Sequence, residues 1–220
     1  MSRSLGLPDR SPPQTRGAET QAAIFAAAER IFAESGLAGA RTDVIAASAG
    51  VNKALLYYYF KSKEQLYAAV LEDQFKEFNR QALAVLTAPG SARAVLLRYV
   101  GLHFDFIRER RRCAPLYHQL LTAAGPSTRR LVRKYWIPRV QALGRLLQRG
   151  MREKEFRQAD IRQTATSIAA LIVFYFSASP VLKMLGPADA YSEANLKCRR
   201  REVLDFIRYG LFIDPEAPVT

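Results

Sequence analysis

Only two cysteines and two histidines occur in this chain of 220 residues, and each scarcity excludes a class of chemistry. Cys113 and Cys198 lie far apart, with no CxxC spacing and no histidine cluster, so neither a disulfide framework nor a zinc site is expected. His103 and His118 have no nucleophile elbow, glycine-rich phosphate loop or carboxylate cluster to work with. Catalysis, a bound metal and a cofactor are therefore not expected. A Cys113–His118 pair would sit five residues apart, on different faces of a helix. Long apolar runs are missing as well: residues 168–176 are flanked by Thr164, Thr166, Ser167, Ser177 and Ser179. A membrane span needs about 20 apolar residues. The start of the chain, MSRSLGLPDRSPPQTRGAE, has no apolar core of the secretory kind. Residues 1–17 are expected to be a disordered arm, and the protein cytoplasmic and not membrane-bound. No strand pattern and no internal repeat occurs.

What is present is a helical, globular composition, 49% hydrophobic, enough for one substantial core or two small ones. The net charge of +13 invites a nucleic-acid reading, but its location weakens that inference. Up to Leu66, eight basic residues face six acidic ones, whereas from Arg108 to Arg157 fourteen Arg and Lys face only Glu109, Glu153 and Glu155. That excess fits a solvated face, an anionic effector or long-range attraction to DNA.

Helical periodicity predicts a first helix over Glu19–Glu34, burying Ala23, Ile24, Ala27, Ala28, Ile31 and Phe32 and ended by Gly36. A long helix is predicted from Lys63 to Leu86, and another over Ser91–Arg110. A short one follows over Pro115–Ala124, then one over Ser127–Met151 that Pro138 should kink or open. Asp160 caps an almost wholly apolar helix halted by Pro180, and the last helix spans Glu193–Phe212.

The most informative stretch is RTDVIAASAGVNKALLYYYFKSK, Arg41 to Lys63. Thr42 is a candidate N-cap for a helix over Asp43–Ala49, Gly50 a left-handed turn, and Asn52 the N-cap of a second helix. Leu56 and Phe60 share one face of that helix and can bury against Val44, Ile45 and Val51. The opposite face carries Lys53, Ala54, Tyr57, Tyr58 and Lys61. Ser62 with Gln65 forms a capping box, and Lys61 and Lys63 a phosphate clamp. This is a helix-turn-helix whose second helix fits a major groove.

The run AGVNKALLYYYFKSKEQL resembles the DNA-binding signature of the tetracycline-repressor (TetR) family of transcriptional regulators, a resemblance that covers Glu19 to Leu71. It implies an all-α fold, with a helix-turn-helix domain over 18–64, a helical ligand-binding and dimerisation domain over 65–212, and a tail over 213–220. It places Thr42, Lys53, Ala54, Leu55, Tyr57, Tyr58, Tyr59 and Lys63 at double-stranded operator DNA, the protein acting as a homodimeric repressor released by a small-molecule effector, anionic or hydrophobic. Leu55 departs from the family pattern, where a small or polar residue such as Thr is commoner, so an apolar base contact is expected there. Tyr99, His103, Phe106, Tyr117, Trp136, Arg139 and Phe174 are the candidate pocket residues. Ile168, Ile172, Phe176, Val203, Ile207 and Leu211, on the last two long helices, are the candidate dimer interface. The alternative is a helical lipid- or acyl-ligand-binding protein whose helix-turn-helix is not its main activity.

Overall fold

The computed structural model describes residues 13–112, 115–116, 126–185 and 189–217, and among these it is all-α. The elements are α1 (Pro13–Gly39), α2 (Thr42–Ser48), α3 (Lys53–Phe60), α4 (Lys63–Leu86), α5 (Ala92–Glu109) and α6 (Pro126–Leu131). A π-helical segment (Val132–Trp136) leads into α7 (Ile137–Arg152), then α8 (Ile161–Ser177), α9 (Ser179–Leu185) and α10 (Glu193–Leu211). None of the described helices is long and apolar enough to cross a membrane. The expected short helix over Pro115–Ala124 lies outside the described residues apart from 115–116, and so do Cys113, Tyr117 and His118.

The chain divides into two compact units, one up to Val70 and one from Leu71. In the first, Ile24, Ala28 and Phe32 of α1, Ile45 of α2, Leu56 of α3 and Leu66 of α4 are sealed from solvent. Phe32 meets Tyr67 edge-on at 5.0 Å. Burying each of the larger apolar side chains contributes about 1.5–3 kcal/mol. Two expectations fail here. The last residues of the arm, 13–17, are already helical, and Ala23 faces solvent. Gly36 does break α1, with φ 67° and ψ 179°, before one further turn.

In the second unit α5 packs on α7, α8 and α10, and α7 packs on α8. Phe75, Phe78, Leu96, Leu147, Phe156, Ile172 and Phe176 fill the core. Glu155 accepts the Ala92 and Arg93 N–H groups at 3.0 and 2.9 Å, and Phe156 stacks on Phe212 at 5.4 Å. The approach depends on Gly150, where a Cβ would stand 2.2 Å from the Phe156 ring.

Proline positions were harder to read. Pro180 does not halt α8, which stops at an Ala178 cap; it sits at the second position of α9, where its missing N–H would be unpaired anyway. Pro138 opens the backbone before it rather than kinking it: the Ile137 N–H bonds to Val132 O, five residues back. The wider π turn relieves the clash that a proline ring imposes on the preceding turn. Glu72 of α4 fastens this segment, accepting from Lys134 Nζ at 2.6 Å, Tyr135 Oη at 2.9 Å and Arg130 at 3.2 Å. The Lys134 bond foremost holds the Glu72 carboxyl below its usual range.

Candidate nucleic-acid interface and apolar cavity

The helix-turn-helix is built as its sequence suggests at three points. Gly50 has φ +69°, which only glycine adopts freely, and this lets the chain leave α2. Asn52 Oδ1 accepts the Leu55 N–H at 2.8 Å and fixes the start of α3. Ser62 Oγ accepts the Gln65 N–H at 3.1 Å and starts α4. With Leu56 and Phe60 turned inward, α3 leaves Lys53, Ala54, Tyr57, Tyr58 and Lys61 beside it exposed, and Leu55 and Tyr59 half-buried. Tyr58 is 74% exposed and meets the Tyr59 ring edge-on at 5.3 Å.

Other assignments change. Thr42 is the first residue of α2, not its cap; Arg41 holds the cap position and makes no side-chain cap bond. Thr42 is buried, and its hydroxyl lies 3.3 Å from that of Tyr57, joining the start of α2 to α3. Val44 does not pack under α3 but is 48% exposed. Lys63 donates to the Ala40 carbonyl at 3.0 Å, so it reaches a phosphate only by releasing that bond. Sequence reasoning passed over Arg41. It lines an open groove of about 540 Å³ together with Thr42, Lys53, Tyr57 and Lys63, and it pairs with Asp43 at 2.7 Å. That bond holds the Asp43 carboxyl below its usual range. A cation one residue before a helix start was the available signal.

The second unit contains a cavity of about 50 Å³. Phe78 comes from α4, Tyr99, His103, Phe106 and Ile107 from α5, and Trp136 from the π segment. Arg139, Val140 and Leu143 belong to α7, and Ala165, Ala169 and Val173 to α8. Five expected pocket residues thus meet: Tyr99, His103, Phe106, Trp136 and Arg139. Phe174 does not join them. It is 69% exposed, and Val173 takes the inward place one helical step, about 100°, away. Tyr117 lies outside the described residues.

Electrostatically the cavity is unusual. Burial, and then the nearby Arg139 charge, push the His103 imidazole down to about 3, so it is neutral at pH 7. Burial raises the Tyr99 hydroxyl above its usual range. Arg139 is only 5% exposed, with its guanidinium 4.9 Å from the Phe78 ring centre and 5.0 Å from that of Trp136. Being three residues apart puts Trp136 and Arg139 on neighbouring positions of one face.

The six expected interface residues need correction. Ile168, Ile172, Phe176, Val203, Ile207 and Leu211 are 5% exposed or less within one chain, so they have no surface left for a partner. The exposed apolar side chains of α8 and α10 are instead Phe174, Phe206 and Tyr209, with Val181 and Met184 on α9.

Comparison with known proteins adds a family description at both units. The family model "Bacterial regulatory proteins, tetR family" matches residues 24–70, and "Tetracyclin repressor-like, C-terminal domain" matches residues 93–207. The HTH-type transcriptional repressor SCO4008 of Streptomyces coelicolor is 40% identical over 84 residues, 38% of this chain and 42% of the relative. The HTH-type transcriptional regulator RutR of Escherichia coli is 35% identical over 111 residues, 47% of this chain and 49% of the relative. The chain thus spans less than half the length of these curated relatives. A protein from Saccharomonospora viridis solved in complex with choline superposes with a TM-score of 0.72 at 23% identity, covering 89% of this chain and 98% of that one. FadR of Bacillus subtilis, solved with stearoyl-CoA, superposes with a TM-score of 0.68 at 19% identity, covering 85% and 97%. At such identity these two likenesses speak for the fold.

Proposed function

Because the chain belongs to the tetR family of bacterial regulatory proteins, we propose that it is a cytoplasmic, homodimeric transcriptional repressor. It binds a palindromic operator through α3 and is released when a small effector occupies the cavity of the second unit. The observation that carries the DNA reading is the division of α3: Leu56 and Phe60 are buried, while Lys53, Ala54, Tyr57 and Tyr58 are exposed on the other side. A short helix with one cationic and aromatic face free suits a major groove, its tyrosines reaching phosphates or thymine methyls and its lysines the backbone. Arg41 and Lys61 add phosphate contacts at the flanks.

Dimerisation is supported by Phe174, Phe206 and Tyr209, three aromatic rings at least 65% exposed on two helices that touch. Large exposed apolar surface of this kind marks an interaction site. A symmetric dimer presents two recognition helices about one DNA turn apart.

The test is a gel-shift titration against the DNA flanking the protein's own gene, at two salt concentrations. Wild type should shift one fragment at nanomolar concentration. Tyr58→Ala removes an exposed side chain without touching the core and should lose about 1–3 kcal/mol of binding. Equal shifting of random sequence by both proteins would refute the reading.

A further inference from the structure

Among the described residues Arg139 is the only charged side chain lining the cavity of the second unit, and no acidic side chain lines it. It is 5% exposed, its Nη1 has no hydrogen-bond partner, and it enters no ion pair among the described residues. The sequence has no Asp or Glu from Arg110 to Arg152, nor from Ile161 to Ala188, so the chain around α7 and α8 supplies no counter-charge at all. The faces of Phe78 and Trp136 compensate the guanidinium only in part, since a cation–π contact is weaker than the pairing a buried charge needs. The protein therefore holds, at the wall of an apolar cavity, a cation with an unfilled hydrogen-bonding position.

We propose that this cavity binds a short-chain monocarboxylate, its carboxylate paired with Arg139 and its apolar body against Ile107, Ala165 and Val173. The proposal rests on the reading of the second unit as the effector-binding unit and gives that effector a chemical class. A neutral ligand would leave Arg139 uncompensated, and a cationic one would add a second positive charge. Tyr99, protonated, can donate to a carboxylate oxygen, and His103, neutral, adds no charge of its own. Size narrows the class. At about 10–15 Å³ of such room per water, a cavity of about 50 Å³ holds only a few waters, which suits a short acid rather than a long acyl chain. A longer or branched body requires the Val140 side, which is 41% exposed, to give way.

Trp136 lines the cavity and is the chain's only tryptophan, so its emission reports occupancy directly. The experiment titrates the full chain at pH 7 and constant ionic strength with propionate and isobutyrate. Propionamide and isobutyramide serve as neutral isosteres, choline as a cation and phosphate as an inorganic anion. The carboxylates should change the emission saturably, and the amides should need at least ten-fold higher concentration. Choline and phosphate should give no saturable change. Arg139→Met keeps the apolar bulk and should erase the preference for carboxylate over amide. Arg139→Lys keeps the charge but not the two-pronged geometry, and should retain only part of that preference, which keeps the test decisive if the methionine variant fails to fold. Equal response to carboxylate and amide, an equal response to phosphate, or no response to any carboxylate would overturn the proposal. The ligand-free gel shift separates the two readings: a protein that shifts its operator but ignores carboxylates refutes this inference alone, and one that binds carboxylates but no operator refutes only the regulator.

Discussion

His103 shows how one buried residue ties stability to pH. Burial and the Arg139 charge take its folded value down to about 3, whereas the unfolded chain titrates near the ordinary 6.5. Between those values the unfolded state binds the extra proton, so the fold is fully stable above about pH 6.5 and loses stability as the pH falls towards 3. At pH 5 the loss from this one group is about 2 kcal/mol. His103→Gln, neutral at every pH, should flatten the fall between pH 6.5 and 5 in chemical denaturation. His118 is common to both proteins and cancels in the difference. Glu77, drawn down to about 2 chiefly by its bond to Arg80, stays ionised in the folded state through this window, and what its unfolded carboxyl contributes near pH 5 is common to both proteins and cancels as well.

At the scale of the element, the start of α3 is the sensitive point. Asn52 provides its side-chain cap, and a helix of eight residues has little else to hold its first turn. Asn52→Ala should cost about 1 kcal/mol by thermal or chemical unfolding, and it should weaken operator binding by more than that stability loss predicts, because α3 is the reading helix. Capping of this kind was legible in the sequence, as were the bounds of α4 and the two faces of α3, since local hydrogen bonds and a 3.6-residue period depend on neighbours a few positions apart. Thr42, Val44 and Phe174 were not legible. Each belongs to an apolar or capping pattern, yet its exposure is decided by which other helix packs over it. Pro180 was misread for a related reason, and for Pro138 the sequence left kink and opening undecided: a proline marks a missing N–H, and whether that starts a helix or opens one depends on the turn around it.

Across the whole molecule, the exposed rings of α8 and α10 govern assembly. Phe206→Glu places a charge where the dimer reading needs an apolar contact, and the side chain is 66% exposed, so one chain should fold normally. Light scattering should give a dimer mass for wild type and a monomer mass for the variant, which should also lose most of its operator affinity. The arginine excess from Arg108 to Arg157 is partly consumed within the fold, by Glu72, Asp73, Asp105 and Glu153. Of the rest, Arg139 is buried, whereas Arg129 and Arg133 lie exposed, with Arg130 and Lys134, around one open depression.

The boundary between the two units falls at Val70 and Leu71, inside α4, with both side chains at most 2% exposed. No strip of loose chain lies there for a protease to find or for a molecular biologist to cut. A shortened gene ending at that boundary would sever a helix in mid-course and lay two buried aliphatic side chains open to water. A fragment that runs on to Leu86 keeps α4 whole but bares Phe75 and Phe78, which fill the core of the second unit, so neither end point leaves a DNA-reading piece without exposed core.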